Sequence, residues 1–135
     1  MEDSPQAEDA IDELLDLTRQ MLDSITTADW ETYTRLCDPT LSAFEPEARG
    51  HLIEGMEFHR FYFELGVGAS AKNTTISSPH VRLLGEDAAV VSYIRLVQQI
   101  ADDGAPQTSR FEETRVWEKQ NGAWRHVHFH RSANS

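Results

Sequence analysis

Apolar positions near the start of the chain (Ile11, Leu14, Leu15, Met21, Leu22 and Ile25, with Thr18 among them) recur at three- and four-residue steps. That spacing lines one face of a helix and predicts one over 9–27. Asp29 has the carboxylate to cap a second helix, with Trp30, Tyr33, Leu36 and Cys37 as its apolar stripe and Asp38-Pro39 as its stop. A short strand over 41–44, a turn at Pro46 and a short aromatic helix over 56–64 follow. Beyond a loop at 65–72, which holds two glycines, the period changes to two. The alternation predicts strands over 73–77, 80–84, 88–100, 107–119 and 123–131. Asp102-Asp103-Gly104 and Gln120-Asn121-Gly122 are turn sequences, and the second carries the Asn-Gly signal of a two-residue hairpin. Helices first and a long antiparallel meander afterwards indicate an α+β fold. No internal repeat is present.

Composition narrows the classes. A chain of 135 residues fits one domain with one core, and a hydrophobic content of 39% argues against disorder. Residues 1–8 are acidic and read as a short disordered lead, with the domain over 9–135. No apolar run reaches membrane-spanning length, and Met1-Glu2-Asp3-Ser4 does not resemble a signal peptide, so a cytoplasmic protein is expected. Cys37 is the sole cysteine, which excludes an internal disulfide and suggests a buried small side chain. The formal net charge of −11 argues against nucleic-acid and anionic-membrane partners, which require clustered Lys and Arg. It also opposes self-association, so any assembly must bury enough apolar surface or pair enough charge to overcome repulsion.

Two runs are too dense for plain surface loops. Cys37-Asp38-Pro39-Thr40-Leu41-Ser42-Ala43-Phe44-Glu45-Pro46-Glu47-Ala48 and Glu54-Gly55-Met56-Glu57-Phe58-His59-Arg60-Phe61-Tyr62-Phe63-Glu64 together hold five aromatics, His59 and many carboxylates. They resemble the association (hub) domain of calcium/calmodulin-dependent protein kinase II. The resemblance continues through Thr74-Thr75-Ile76, Gly85-Glu86-Asp87-Ala88-Ala89 and Ser92-Tyr93-Ile94-Arg95-Leu96. It extends over Glu112-Glu113-Thr114-Arg115-Val116-Trp117, Asn121-Gly122-Ala123-Trp124 and His128-Phe129-His130-Arg131-Ser132. It implies an NTF2-like (SnoaL-like) cone, in which a strongly curved antiparallel sheet wraps around the long N-terminal helix. It also implies an oligomerisation hub forming two stacked rings, a dodecamer or tetradecamer, that gathers kinase domains. Departures from the family pattern include Arg49, His51, Arg110 and Phe111, and a loop at 65–73 that is short and lacks an expected tryptophan.

The chain lacks a Gly-rich phosphate loop, a His-Arg-Asp loop and an Asp-Phe-Gly motif, so no kinase activity and no cofactor are expected of it, although full-length members of the family are Ser/Thr kinases. Partners implied by the resemblance are copies of itself and kinase hub domains. Its Met1 start and acidic lead favour a stand-alone hub-like protein over an excised hub. A further reading makes such a protein a decoy that mixes with kinase hubs.

Candidate chemistry centres on Arg95, Arg115 and Arg131, each beside apolar or aromatic strand residues. A buried guanidinium cannot shed its proton and needs a carboxylate or a bound anion. Pairing with Glu112 or Glu113 is the simpler account of any single arginine. The resemblance implies that all three line a deep pocket able to bind a small carboxylate. Strand parity conflicts with this. Counting back from Asn121-Gly122, Arg115 faces His128 and Glu112 faces Arg131, so convergence requires a β-bulge or a longer turn. His59, with Tyr33 and Glu54 as neighbours, is the remaining pocket candidate. As an acid/base set these three define the alternative function, a small NTF2-like lyase, isomerase or hydrolase. His126, His128 and His130 alternate along one strand and read as a stripe on one face, without a complete metal-ligand set.

Overall fold

The computed structural model describes residues 4–66 and 72–134. Helix α1 (Pro5–Thr26) starts four residues ahead of the expected 9. The Ser4 side chain accepts from the Ala7 N–H, and Pro5, which has no N–H to leave unpaired, occupies the first turn. Residues 5–8 are therefore helical, not a disordered lead. Leu14, Thr18, Met21 and Leu22 are buried on the face that the periodicity marked.

Asp29 caps α2 (Trp30–Leu36) as expected, accepting from the Thr32 N–H at 3.2 Å. The helix does not wait for Asp38-Pro39 to stop it. Strand β1 (Cys37–Phe44) begins at once and carries Pro39 inside it. Pro39 is tolerated because ladder pairing with the last strand skips from Cys37 to Ser42. The Pro46–Ala48 turn, a two-residue strand β2 (Ile53–Glu54) and helix α3 (Glu57–Glu64) follow. Most of the loop expected at 65–73 lies outside the described residues.

The two strands expected over 73–84 are one, β3 (Lys72–Leu83), with a register irregularity between Ser77 and His80. Ser78 takes a φ of 53° there, and Pro79, unable to donate, sits where the ladder is broken. Strands β4 (Ala88–Ile100), β5 (Pro106–Gln120) and β6 (Ala123–Asn134) complete the meander. The six-stranded sheet has the order β2-β1-β6-β5-β4-β3. It is mixed rather than purely antiparallel, because β1 runs parallel to β6.

Alternation along β4 and β5 divides the inner face by chemistry. One end is dry, with Ala89, Val91, Trp117 and Trp124 packed near α1 residues Leu14 and Leu22 in a single core. The other end continues the same inward rows with Tyr93, Arg95, Glu113 and Arg115, all buried. Burying ionisable groups of this kind is tolerable only if they satisfy one another, so the fold itself directs attention to that end. Among the described residues, no helix is long and apolar enough to cross a membrane.

Candidate functional site

The site depends on one extra residue in β6. Gln120 pairs with Ala123 across the expected turn, where Asn121 and Gly122 have φ of 51° and 84°. Trp117 then pairs with His126, but Val116 pairs with His128, leaving Val127 as a bulge. Beyond it the parity is reversed. Arg115 pairs with Phe129, and Glu113 with Arg131. On the other side Glu113 pairs with Tyr93, and Phe111 with Arg95. Directly opposed residues share a face, so Arg95, Arg115 and Arg131 do converge.

Glu113 is the centre of the buried network. Its Oε1 accepts from Tyr93 O–H at 2.5 Å and from Arg115 Nη2 at 3.1 Å, and its Oε2 accepts from Arg95 Nη1 at 3.2 Å. Burial alone would raise its carboxyl, but Arg115, Arg95 and the Tyr93 hydroxyl outweigh burial and hold it at about 2. Arg115 is almost fully engaged. Its Nε donates to the Tyr93 oxygen at 2.8 Å, and its Nη1 approaches Met21 Sδ and His126 Nε2 at 3.4 Å each. The guanidinium lies 4.6 Å from the Phe129 ring centre. Burial and Arg115 keep His126 neutral. With Nε2 as acceptor, its ring proton is on Nδ1, which faces Cys37 Sγ at 3.5 Å. Cys37 is buried as expected, and burial pushes its thiol up to about 12.

Arg131 is held differently. It is paired with Glu47 and lies 3.7 Å from Glu45 Oε2. Its guanidinium shares the Phe111 ring with Arg95, at 5.1 and 6.0 Å from the centroid. His59, on α3, is buried, with Nδ1 3.7 Å from Glu45 Oε1. Its ring centre lies 5.6 Å from Phe129 and 6.1 Å from the buried Tyr33. Burial, with Arg115 and Arg131, lowers its pKa to about 4, so the ring is neutral. Two polar atoms at this end have no hydrogen-bond partner among the described residues, Arg95 Nε and His59 Nε2.

Glu54 is not beside His59. It is exposed on β2, opposite Ser42, and the carboxylate next to His59 is Glu45. The expected set of His59, Tyr33 and Glu54 is therefore not assembled. The histidine stripe is corrected by the same bulge. His126 turns into the core, whereas His128 stays on the other face and bonds Ser42 Oγ at 2.7 Å. Among the described residues, no group of three His, Cys, Asp or Glu side chains is placed to hold a metal. Tyr93 and Glu45 complete the site, and the sequence did not single them out. Tyr93 stands two residues before Arg95, the inward spacing of a strand, but Glu45 lies in an irregular turn with no period to mark it.

A mixed, curved six-stranded sheet packed over a long helix, with a buried polar network at one end, defines an NTF2-like domain. An NTF2-like superfamily protein from Salmonella enterica superposes with a TM-score of 0.74 at 24% identity, covering 92% of this chain and 90% of that one. That likeness speaks for the fold alone. The family model described as the calcium/calmodulin dependent protein kinase II association domain matches residues 10–135. The delta subunit of calcium/calmodulin-dependent protein kinase type II from Oryctolagus cuniculus is 52% identical over 124 residues, 90% of this chain. The chain spans only 23% of that relative's length. The association domain of the C. elegans kinase has a TM-score of 0.91 and 45% identity, covering 96% of this chain and 99% of that one. The chain belongs to the calcium/calmodulin-dependent protein kinase II association domain family.

Proposed function

We propose that the chain is an oligomerisation hub. It builds a closed assembly of two stacked rings from its own copies, and displays kinase domains or mixes with kinase hubs in a cytoplasmic setting. Its membership of an association-domain family carries this reading. Exposed apolar side chains on α3 and at its C-terminal cap support it: Phe61, Tyr62 and Leu65 are 60%, 41% and 68% exposed. Adjacent apolar groups of that size are characteristic of surfaces that partners cover. A repeated heterologous contact either closes into a ring or grows without limit, so a soluble hub must close. Native mass spectrometry at low micromolar concentration should return a large even-numbered oligomer. A monomer or simple dimer would end the hub reading.

The polar end of the cone is a pocket for small carboxylates. Its supporting observation is the pair of buried, unpartnered groups, Arg95 Nε and His59 Nε2, beside Arg131. A carboxylate offers acceptors to several such donors at once. Arg115 contributes its field and holds Glu113 and Tyr93, since its own donors are nearly all used internally. At a hundred times its dissociation constant a carboxylate should stabilise the fold by about 2.7 kcal/mol. A thermal-shift titration with acetate, malonate and a neutral analogue at fixed ionic strength tests this. Equal shifts for the neutral analogue, or unchanged shifts in a folded Arg95→Ala protein, would leave the arginines as internal ion-pair partners only.

A further inference from the structure

Glu45 stands where β1 gives way to the Pro46–Ala48 turn, and its side chain is only 8% exposed. Its two oxygens each lie 3.7 Å from a nitrogen, Oε1 from His59 Nδ1 and Oε2 from Arg131 Nη2. Neither contact is short enough for a hydrogen bond. The carboxylate is thus buried between two potential partners without being tied to either. It already sits where an anion bound by His59 and Arg131 would compete with it.

The charged and titratable groups around it come from every neighbouring element. Arg131 faces it from β6, Arg115 and Glu113 from β5, Glu47 from its own turn, His59 from α3 and Tyr33 from α2. Arg95 adds its charge through Glu113. His59 and Tyr33 are neutral at ordinary pH. Three guanidinium charges therefore face the three carboxylates Glu113, Glu45 and Glu47, and the cluster is balanced before any anion arrives. One more carboxylate makes it negative unless a proton comes too.

We propose that Glu45 is the resident carboxylate that sets the selectivity of this pocket, so that an added carboxylate enters with uptake of one proton onto Glu45. This rests on the carboxylate-binding reading given above. No bond to carbon changes: the proton comes from solvent, and the entering anion keeps its charge. Once protonated, Glu45 presents an O–H to Nδ1 of neutral His59. The ring proton then belongs on Nε2, the atom that has no partner among the described residues, where it can donate to the newcomer. Burial pushes the Glu45 carboxyl up to about 7, with Arg131 opposing and Glu47 adding to the rise, so the proton costs little near neutrality.

The test is isothermal titration with acetate at fixed ionic strength across pH 6 to 9, repeated in buffers of different ionisation enthalpy. In the wild-type chain the dissociation constant should be flat below about pH 7 and rise about tenfold per unit above it, with about one proton taken up per acetate at the alkaline end. The Glu45→Gln protein should bind acetate with a flat pH profile, take up almost no proton, and bind more tightly than wild type at the alkaline end. Acetate binding to the wild-type chain without proton uptake would overturn the role of Glu45 and leave the carboxylate pocket standing. Absence of acetate binding to either protein at any pH would overturn both. If Glu45→Gln does not fold, the proton count in the wild-type chain decides alone.

Discussion

Glu113 takes hydrogen bonds from Tyr93, Arg95 and Arg115 with side chains that are almost wholly out of solvent. Removing its charge leaves two guanidinium groups without their shared counter-ion. Breaking a buried pair in this way costs about 3–5 kcal/mol, most of it from the charge left behind. Glu113→Gln should therefore lose that much stability in urea unfolding near neutral pH. Acid should bring the two proteins closer together. The folded carboxyl is held at about 2, below the ordinary 4.5, so its contribution is complete above about pH 4.5. It is lost as pH falls toward 2. Wild type should thus lose stability through that window by a term that the glutamine protein lacks, and parallel acid titrations of the two would show it.

At the scale of elements, the hairpin between β5 and β6 was legible and the bulge was not. Asn121-Gly122 specifies a two-residue turn with positive φ at both positions, and the pairing of Gln120 with Ala123 follows. Nothing lies within 4 Å of a Cβ added at Gly122, so the cost of Gly122→Ala is backbone strain alone. It should be about 1–2 kcal/mol, visible as a lower urea midpoint with an unchanged slope. The Val127 bulge leaves no comparable mark, because both parities put aromatic and basic residues inward. The sequence showed only that the arginines could not converge without such a feature. Helix α1 was legible from its period of 3.6. Its start was missed because residues 5–8 add no large apolar side chain to the stripe, and only the Ser4-Pro5 cap announces them. The early start of β1 was hidden by Asp38-Pro39, which reads as a stop. That reading fails because the ladder skips the proline. Glu45 escaped notice because turns position side chains by tertiary context rather than by repeat.

At the scale of the whole molecule, charge and assembly oppose one another. Each copy carries a formal charge of −11, so every contact between copies that the hub reading requires forms against repulsion. Exposed charges are screened beyond about 8 Å at 0.15 M salt and much less at lower ionic strength. The assembly should therefore dissociate at a higher protein concentration in low salt than at about 0.15 M. Mass photometry across a dilution series at both ionic strengths would show it. Dissociation promoted by salt instead would mean that contacts between opposite charges, and not apolar surface, hold the copies together.

The parallel pairing of β1 with β6 also sets a timetable. Cys37 meets His126 and Ser42 meets His128, partners 89 and 86 residues apart in the chain. A ribosome adding about 5–20 residues per second takes on the order of ten seconds to cover that interval. Throughout it, one edge of β1 presents backbone donors and acceptors with nothing to receive them, the condition in which strands pair with the wrong neighbour. Neither Phe129 nor Arg131 exists yet, so the inner face near His59 and Glu45 lacks its wall. The cone cannot close from its N-terminal side as it is made. It closes when its last strand is released, and a nascent chain stalled before Phe129 should remain protease-sensitive along β1 even with both leading helices formed.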